Sequence, residues 1–282
     1  MKKAKYLVTF MVMAFMLILT ACGTSETSGN GSGSGDEKKT LRVVTDAAYA
    51  PFEYQDKGEI VGFDIDLIKA VAKEAGYKID IAHTGWDPIF VELEKKIADI
   101  GISSITINDD RKKTYDFSVP YFLSTNKIMV PEGSEIKSAE DLKDKTVAVQ
   151  NATTGQEAVE GLLGKNSDQI KKFENNNLAI LELKAGGADA VVADNTVIEE
   201  YAKNNPNDKF IIIEDKDAFA QEFYGLMFSK GSKIKADFDK ALNEVFDNGT
   251  YAEIYKEWFK VDPDVQLLKD QQYNQNCVTL KN

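Results

Sequence analysis

The chain alternates short apolar runs with longer stretches whose apolar residues recur at the period of a helix. The runs LRVVTD, YKIDIAH and ADIGISS have the length and composition of strands that end in polar residues. Between the first two runs, the segment FDIDLIKAVAKEAG places Ile65, Ile68 and Ala72 on one helical face. Gly76 follows at the position that commonly ends a helix. This β-α-β-α-β order predicts a largely parallel sheet covered by helices.

The same alternation begins again in the second half of the chain. KTVAVQNATTG and ADAVVADNTV each predict a strand that runs into a loop, with a helical pattern (LAILELKAGG) between them. Asp87 and Pro88 are predicted to open a further helix as its cap and first residue. Residues 234–246 and the segment TYAEIYKEWF predict two closing helices. Two α/β lobes fit this repetition and the length of 282 residues.

The first 39 residues have a different character. Residues 1–21 combine a basic start (MKKAK) with an apolar stretch too short for a bilayer-spanning helix, which needs about 20 residues, and so predict a secretory signal. The LTAC sequence that ends at Cys22 resembles the lipobox of bacterial lipoproteins, which implies a lipid on that cysteine; the alternative is an ordinary signal peptide with an incidental cysteine. Residues 22–39 are rich in Gly and Ser and predict a flexible tether.

Charge and cysteine content exclude several classes of protein. The net charge is −12, and removal of residues 1–21 with Lys2, Lys3 and Lys5 leaves 31 basic against 46 acidic side chains. Such a surface argues against nucleic acid. Cys22 and Cys277 are the only cysteines, so a disulfide scaffold is excluded if the first is acylated. Cys277 lies in a tail that we expect to be irregular, and we interpret it as incidental.

Common catalytic and metal motifs are missing from the sequence. Two S-x-x-K matches, which start at Ser134 and Ser232, lack the SDN and KTG partners of β-lactamases. No G-x-S-x-G, P-loop or H-E-x-x-H occurs. The single histidine, His83, has no second histidine or free cysteine placed to share a metal, and we interpret it as a loop residue. We therefore expect no metal and no cofactor.

Polar residues gather where the predicted parallel strands end, which is where ligands bind in such sheets. In the first lobe these residues are Asp46, the 83–87 loop, and the hydroxyls of Ser103, Ser104 and Thr106. Arg111 follows shortly afterwards. Alone it is a solvated charge, and the serines would satisfy backbone groups near Asn108 or Asp109 as a helix cap.

Arg111 and the hydroxyls together suggest a second interpretation. A guanidinium beside hydroxyls and main-chain N–H groups forms a planar receptor for a carboxylate. Asp194 ends the second-lobe strand AVVAD and could pair with a cation across a cleft. A carboxylate receptor that faces an ammonium receptor describes the binding of a free α-amino acid.

At this point the chain resembles a known family, the polar amino-acid solute-binding proteins of ABC importers. The resemblance rests on TDAAYAPFEY, GFDIDLIKAVAKEAG, ISSITINDDRK, VQNATTGQEA, ADAVVADNTV and NGTYAEIYKEWF. It implies a type II periplasmic-binding-protein-like fold, α/β, with mixed sheets flanked by helices and two crossover strands. Lobe 1 is then 40–124 plus 225–262 and lobe 2 is 127–223, with a C-terminal tail at 263–282. GWDPIF and VQNATTGQEA are most similar to the arginine and basic amino-acid binders, and the lipobox to the tethered form of Gram-positive bacteria.

The resemblance also implies a role for each site residue. Arg111 would hold the ligand carboxylate, helped by Thr106, Ser104 and the loop at Thr153 and Thr154. Asp194 and the Ser104 region would hold the α-ammonium. Tyr49 and Trp86 would enclose the aliphatic side chain, and Asp46 would meet its distal end beside Gln150. The full predicted set is Asp46, Tyr49, Trp86, Ser103, Ser104, Thr106, Arg111, Gln150, Thr153, Thr154 and Asp194.

The sequence therefore predicts a receptor that captures a basic amino acid (arginine, lysine or histidine) by lobe closure and delivers it to an ABC importer. We expect a monomer, anchored by lipid at the extracytoplasmic face of the cell membrane. Asp46 is the discriminating residue, but it could also cap its own loop, and glutamine could donate to it as well. The sequence is also compatible with a cyclohexadienyl dehydratase of the same fold, with Glu53 as the spare acid or base, and with a sensor coupled to a kinase.

Overall fold

The computed structural model describes residues 40–279, and side chains up to residue 272. The predicted signal peptide, Cys22, the tether and the side chain of Cys277 lie outside these described parts. The strands, in chain order, are β1 Leu41–Thr45, β2 Ala48–Tyr49, β3 Glu53–Asp56, β4 Glu59–Val61, β5 Ile79–His83, β6 Ile100–Gly101, β7 Tyr115–Phe117, β8 Phe122–Pro131, β9 Val147–Gln150, β10 Ile170–Phe173, β11 Ala190–Asp194, β12 Phe210–Ile213, β13 Gln221–Tyr224 and β14 Met227–Ser229. The helices are α1 Phe63–Glu74, α2 Trp86–Glu94, α3 Asp109–Thr114, α4 Thr154–Leu163, α5 Asn176–Lys184, α6 Asn195–Asn204, α7 Lys235–Asp247, α8 Thr250–Phe259 and α9 Val265–Thr279, with short 3₁₀ turns at Ala139–Leu142 and Pro206–Asp208. Within residues 40–279, none of these helices has the length and apolarity that a bilayer crossing requires.

The first sheet has the strand order β5-β1-β6-β14-β7. β1 runs parallel to β5 and β6, so the chain leaves all three at the same edge. β14, which comes from the far end of the sequence, pairs antiparallel with β6 and β7. Helix α1 packs on this sheet through the buried side chains of Ile68 and Ala72, as the periodicity predicted. Gly76 has φ 73°, a left-handed conformation that suits glycine after a helix.

The second sheet has the order β10-β9-β11-β8-β12. β9, β10 and β11 are parallel, and β8 is antiparallel to β11 and β12. The predicted mixed α/β class is therefore confirmed. β8 and β13 pair with each other and link the two halves: Phe122 and Tyr224 belong to the first core, whereas Ile128 and Val130 belong to the second. These two segments are the crossover strands that the family resemblance implied.

Two local predictions were wrong. Helix α2 begins at Trp86, one residue before the predicted cap Asp87, and Gly85 takes the cap position with φ 85°. Glycine alone accepts that conformation at low cost, and therefore it, and not Asp87, sets the start of the helix.

The second error concerns the C-terminal tail. Residues 270–282 of the tail were expected to be irregular, but Val265–Thr279 is helical. Asp264 caps this helix by accepting a hydrogen bond from the N–H of Leu267 at 3.0 Å. Leu268 is buried against the first core. A single buried leucine in an amide-rich segment gives too weak a periodic signal to predict from sequence, since tertiary packing supplies most helix stability.

Candidate functional site

All the residues predicted to bind ligand line one pocket between the two sheets. The parallel strands of both sheets direct their carboxyl ends toward it. Asp46 follows β1, and the Ser103–Thr106 segment follows β6. Gln150 ends β9 and Asp194 ends β11. The structure thus brings the predicted set together; the role of each residue stays a proposal.

The segment after β6 forms one wall of the cavity. Ser103 Oγ accepts a hydrogen bond from the N–H of Asp46 at 3.1 Å. Ser104 has φ 50°, and its N–H donates to the Asp64 carboxylate at 2.8 Å. Within the part of the chain that the structure describes, Ser104 Oγ is buried and has no hydrogen-bond partner. A buried hydroxyl without a partner is costly, so this oxygen is available to a bound molecule.

Arg111 projects from the short helix α3, which Asn108 caps by accepting the N–H of Arg111 at 2.8 Å. The alternative in which the serines cap this helix is wrong, because Asn108 caps it and Ser103 Oγ bonds instead to Asp46 and Glu53. The guanidinium donates to the carbonyl of Thr106 at 3.0 Å and to that of Ala152 at 3.3 Å. It also lies 5.5 Å from the ring centroid of Trp86. These contacts hold the planar group at the cavity wall, with N–H capacity left for an anion.

The charge of Arg111 is only partly compensated by its neighbours. Burial lowers the pKa of Arg111, whereas the negative side chains of Glu157, Glu222 and Asp194 act to raise it. A bound carboxylate would add compensation at short range.

Asp194 is the acidic centre of the opposite wall and is 8% exposed. Its carboxylate accepts hydrogen bonds from the phenols of Tyr49 at 2.5 Å and Tyr224 at 2.6 Å. Burial raises the pKa of Asp194, and the two phenols and Arg111 oppose the shift. Tyr49 therefore has a contact that sequence did not anticipate, because it reaches Asp194 across the cleft as well as lining the cavity.

Asp46 occupies the far end of the cavity and is 4% exposed. Gln150 Nε2 donates to its carboxylate at 3.4 Å. His83 Nδ1 lies 3.9 Å away and accepts the N–H of Ala47 at 2.9 Å. Burial is the largest influence on the pKa of Asp46, which is raised. The carboxylate has no cationic partner at hydrogen-bonding distance among the described residues.

The two neighbouring threonines have different contacts. The Thr153 hydroxyl donates to the carbonyl of Gln150 at 2.8 Å and accepts the N–H of Gln156 at 3.2 Å, which makes it the cap of α4. The Thr154 hydroxyl donates to Glu222 at 2.8 Å. The sequence left open which of the two makes the main ligand contact. Both hydroxyl protons are engaged within the protein, so these hydrogen bonds do not distinguish the two threonines.

Glu222 was missed by sequence analysis. It lies on the crossover strand β13, where its carboxylate accepts hydrogen bonds from Thr106 at 2.7 Å, Thr154 at 2.8 Å and Asn126 at 2.8 Å. Burial and the nearby Asp194 raise its pKa. In QEFYG the glutamate appears as one more polar residue of a strand, and no local pattern indicates that it would lie beside residues 116 and 68 positions away.

Several hydrogen bonds join the two walls directly. Trp86 Nε1 donates to the carbonyl of Ala152 at 3.3 Å, the same oxygen that accepts from Arg111. Asn177 donates to the carbonyl of Ala48 at 3.1 Å. With the Tyr49–Asp194 bond, these contacts close the cleft around the cavity. A molecule inside would be withdrawn from water, which strengthens its charge interactions with the walls.

Comparison with known proteins gives a consistent result. The family model for bacterial extracellular solute-binding proteins, family 3, matches residues 41–261. A probable histidine-binding protein of Neisseria gonorrhoeae is 40% identical over 248 residues, which cover 86% of this chain and 91% of the relative. The solved arginine-, lysine-, histidine-binding protein ArtJ of Geobacillus stearothermophilus is 55% identical with a TM-score of 0.81, and the match covers 82% of this chain and 100% of that one.

Two solved ancestral proteins bear on the choice of ligand and on catalysis. An ancestral arginine-binding protein bound to glutamine is 43% identical with a TM-score of 0.73, covering 78% of this chain and 97% of that one. An ancestral amino acid-binding protein, a precursor of cyclohexadienyl dehydratase, is 40% identical with a TM-score of 0.70, covering 78% and 95%. Binding is thus the activity that all these names state, and the fold can also be a starting point for an enzyme.

Proposed function

The chain belongs to family 3 of the bacterial extracellular solute-binding proteins, and from that premise we propose that it captures a free basic amino acid and delivers it to an ABC importer. Arg111, with Thr106 and Thr154, receives the α-carboxylate. Asp194 receives the α-ammonium, and Asp46 receives the cationic end of the side chain between Tyr49 and Trp86. The ligand's preference for the closed arrangement drives closure, and the closed form is the one presented to the permease.

One observation carries the choice of a basic ligand. Asp46, Asp194 and Arg111 line the cavity, and Glu222 binds two of its hydroxyls. The positive charge of Arg111 acts on Asp194 and Glu222. Burial raises the pKa of all three carboxyl groups, so each anion is under-compensated. A zwitterionic amino acid without side-chain charge adds no net charge. A basic amino acid adds one positive charge, which reduces the imbalance at the place where Asp46 lies.

We expect isothermal titration calorimetry of the chain without residues 1–21 to rank arginine, lysine and histidine ahead of glutamine and glutamate. The margin over glutamine should be about tenfold or more, because a hydrogen bond to a buried charged group contributes about 1.5–3 kcal/mol. Glutamate is the internal control, since it matches glutamine in shape and adds a repelling charge beside Asp46. Tightest binding of glutamine or glutamate would contradict the basic-ligand assignment.

Binding without turnover is part of the proposal. Glu53, the carboxyl group considered as a spare acid or base, is fully buried behind Ser103 and does not line the cavity. Glu53 therefore cannot contact a ligand in the cavity directly. Incubation with prephenate or arogenate should yield no product, and turnover of either compound would replace the transport proposal with an enzymatic one. A signalling role would use the same binding lobes and differs only in the membrane partner.

We further propose that lipid on Cys22 anchors the protein outside the cell membrane, on the basis of the LTAC sequence and the Gly/Ser segment after it. Cys22→Ser should move the protein from the membrane fraction to the soluble one and abolish labelling by radioactive palmitate. Cys277→Ser is the matched control and should leave both unchanged. Equal membrane retention of the two variants would rule out Cys22 as the anchor.

A further inference from the structure

Two buried carboxyl groups lie directly behind the wall formed by Ser103 and Ser104. Glu53 begins β3 and Asp64 is the second residue of α1, and both side chains are 0% exposed. Neither lines the cavity, so the proposed function leaves them unexplained. Buried acids are unusual unless they are paired with a cation or held by several hydrogen bonds.

One oxygen of each carboxyl group bonds to the wall of the ligand site. Glu53 Oε1 accepts the hydroxyl of Ser103 at 2.7 Å. Asp64 Oδ2 accepts the N–H of Ser104 at 2.8 Å and the phenol of Tyr121 at 2.8 Å. Ser103 in turn accepts the N–H of Asp46. The two carboxyl groups therefore fix the segment that presents Ser104 Oγ and Asp46 to the cavity.

The second oxygen of each carboxyl group has no donor outside the pair. Glu53 Oε2 and Asp64 Oδ1 are buried and accept no hydrogen bond from a donor among the described groups. The two residues are neighbours, since the N–H of Asp64 donates to the carbonyl of Phe52, the residue before Glu53, at 3.0 Å, and each carboxyl group acts on the pKa of the other. Two ionised carboxylates offer only acceptors to one another. A single proton between the two oxygens satisfies both and removes one of two like buried charges.

The electrostatic surroundings favour retention of that proton. Burial and the neighbouring Asp64 raise the pKa of Glu53 well above its ordinary value, and burial raises the pKa of Asp64 to about 6. The titratable groups that face the pair are acids or phenols: Asp46 after β1, Tyr49 on β2, Tyr121 before β8 and Tyr251 on α8. The described hydrogen bonds and ion pairs bring no cationic side chain to either carboxyl.

We infer that Glu53 and Asp64 share one proton at neutral pH, and that this acid–carboxylate pair positions Ser103 and Ser104 in the ligand site. The inference rests on the proposed amino-acid site for its functional part, whereas the shared proton is independent of which ligand binds. The pair acts through the serines and touches no ligand, so Glu53 and Asp64 are positioning residues.

The sign of the pH dependence follows from linkage. Glu53 has an ordinary pKa of 4.5 and is ionised in the unfolded chain at pH 7, whereas the folded chain holds one proton on the pair. Unfolding therefore releases a proton, so this contribution to stability is complete below the ordinary pKa of 4.5 and is lost as pH rises towards the raised pKa of Glu53. Glu53→Gln supplies a permanent N–H donor to Asp64 and an oxygen acceptor to Ser103, and so removes this loss. Relative to the variant, the wild-type unfolding constant should rise about tenfold per pH unit.

The experiment combines infrared spectroscopy with pH-dependent denaturation of the ligand-free chain without residues 1–21. At pH 7 the wild type should show the band of a buried protonated carboxyl, and Glu53→Gln should lack it. Glu59→Gln, an exposed carboxylate on the adjacent β4, is the matched control and should keep the wild-type band and pH profile. A wild type without the band, or a Glu53→Gln profile parallel to the wild type, would overturn the shared proton.

Arginine titration then tests the positioning role. Glu53→Gln should retain arginine affinity within about threefold at pH 7, while Glu53→Ala, which leaves the Ser103 hydroxyl without its acceptor, should lose about tenfold or more. Equal affinities of Glu53→Ala and the wild type would refute positioning, even where the infrared band is present. If the wild type itself binds no basic amino acid, the proposed function fails, but the band and the denaturation profile still decide the shared proton.

Discussion

Arg111→Ala should weaken the binding of every amino acid that the protein accepts, and by a similar factor for each. The guanidinium faces the part that all α-amino acids share, and its loss leaves the ligand carboxylate buried beside Glu222 and Asp194. Removing one partner of a buried ion pair costs about 3–5 kcal/mol, which corresponds to a loss of a hundredfold to several thousandfold in affinity. Calorimetric titration with arginine, lysine and histidine measures the factor directly.

Lys113→Ala provides the control for Arg111. Lys113 lies on the same short helix, with its side chain 73% exposed and paired with Asp110, so its removal should change affinity by less than about twofold. Arg111→Lys tests the shape of the group, since it keeps the charge but loses the planar fork, and should bind with intermediate affinity. An Arg111→Ala variant that melts like the wild type and still binds arginine tightly would remove Arg111 from the site.

Asp46→Asn should separate arginine from glutamine. The substitution keeps the size of the side chain and removes its charge, so a cationic ligand loses about 1.5–3 kcal/mol while a side-chain amide retains an acceptor. Affinity for arginine should therefore fall by roughly tenfold to a hundredfold, and affinity for glutamine should change little. The measurement is a pair of titrations, one with each ligand, on the wild type and the variant.

Asp56→Asn is the matched control for Asp46, because it removes an exposed carboxylate at the end of β3 and should leave both affinities unchanged. Unaltered arginine binding by Asp46→Asn would assign Asp46 to the stabilisation of its own loop, the interpretation that the sequence left open. A parallel loss for arginine and glutamine would mean that Asp46 holds the site together and does not select the ligand.

Most of the predicted site residues could be located from sequence because of one local regularity. Parallel strands end at a common edge, so the polar residues after LRVVT, ADIG and AVVA had to lie near one another. Helix α1 and Gly76 were equally predictable, since the 3.6-residue period and the terminal glycine are properties of adjacent residues. The predictions for the start of α2 and for the C-terminal segment were wrong, because the conformation of Gly85 and the burial of Leu268 depend on packing.

What the sequence determined by itself is the family, the two α/β halves and the chemical types gathered at the strand ends. The tertiary structure decided which of these groups face one another. Tyr49 and Asp194 are 145 positions apart, and Thr106 and Glu222 are 116 apart, so no local pattern links them. The proton proposed between Glu53 and Asp64 is the clearest case. Each residue alone is an ordinary acid. Burial behind ISSIT raises the pKa of both, and the neighbouring Asp64 raises that of Glu53 further.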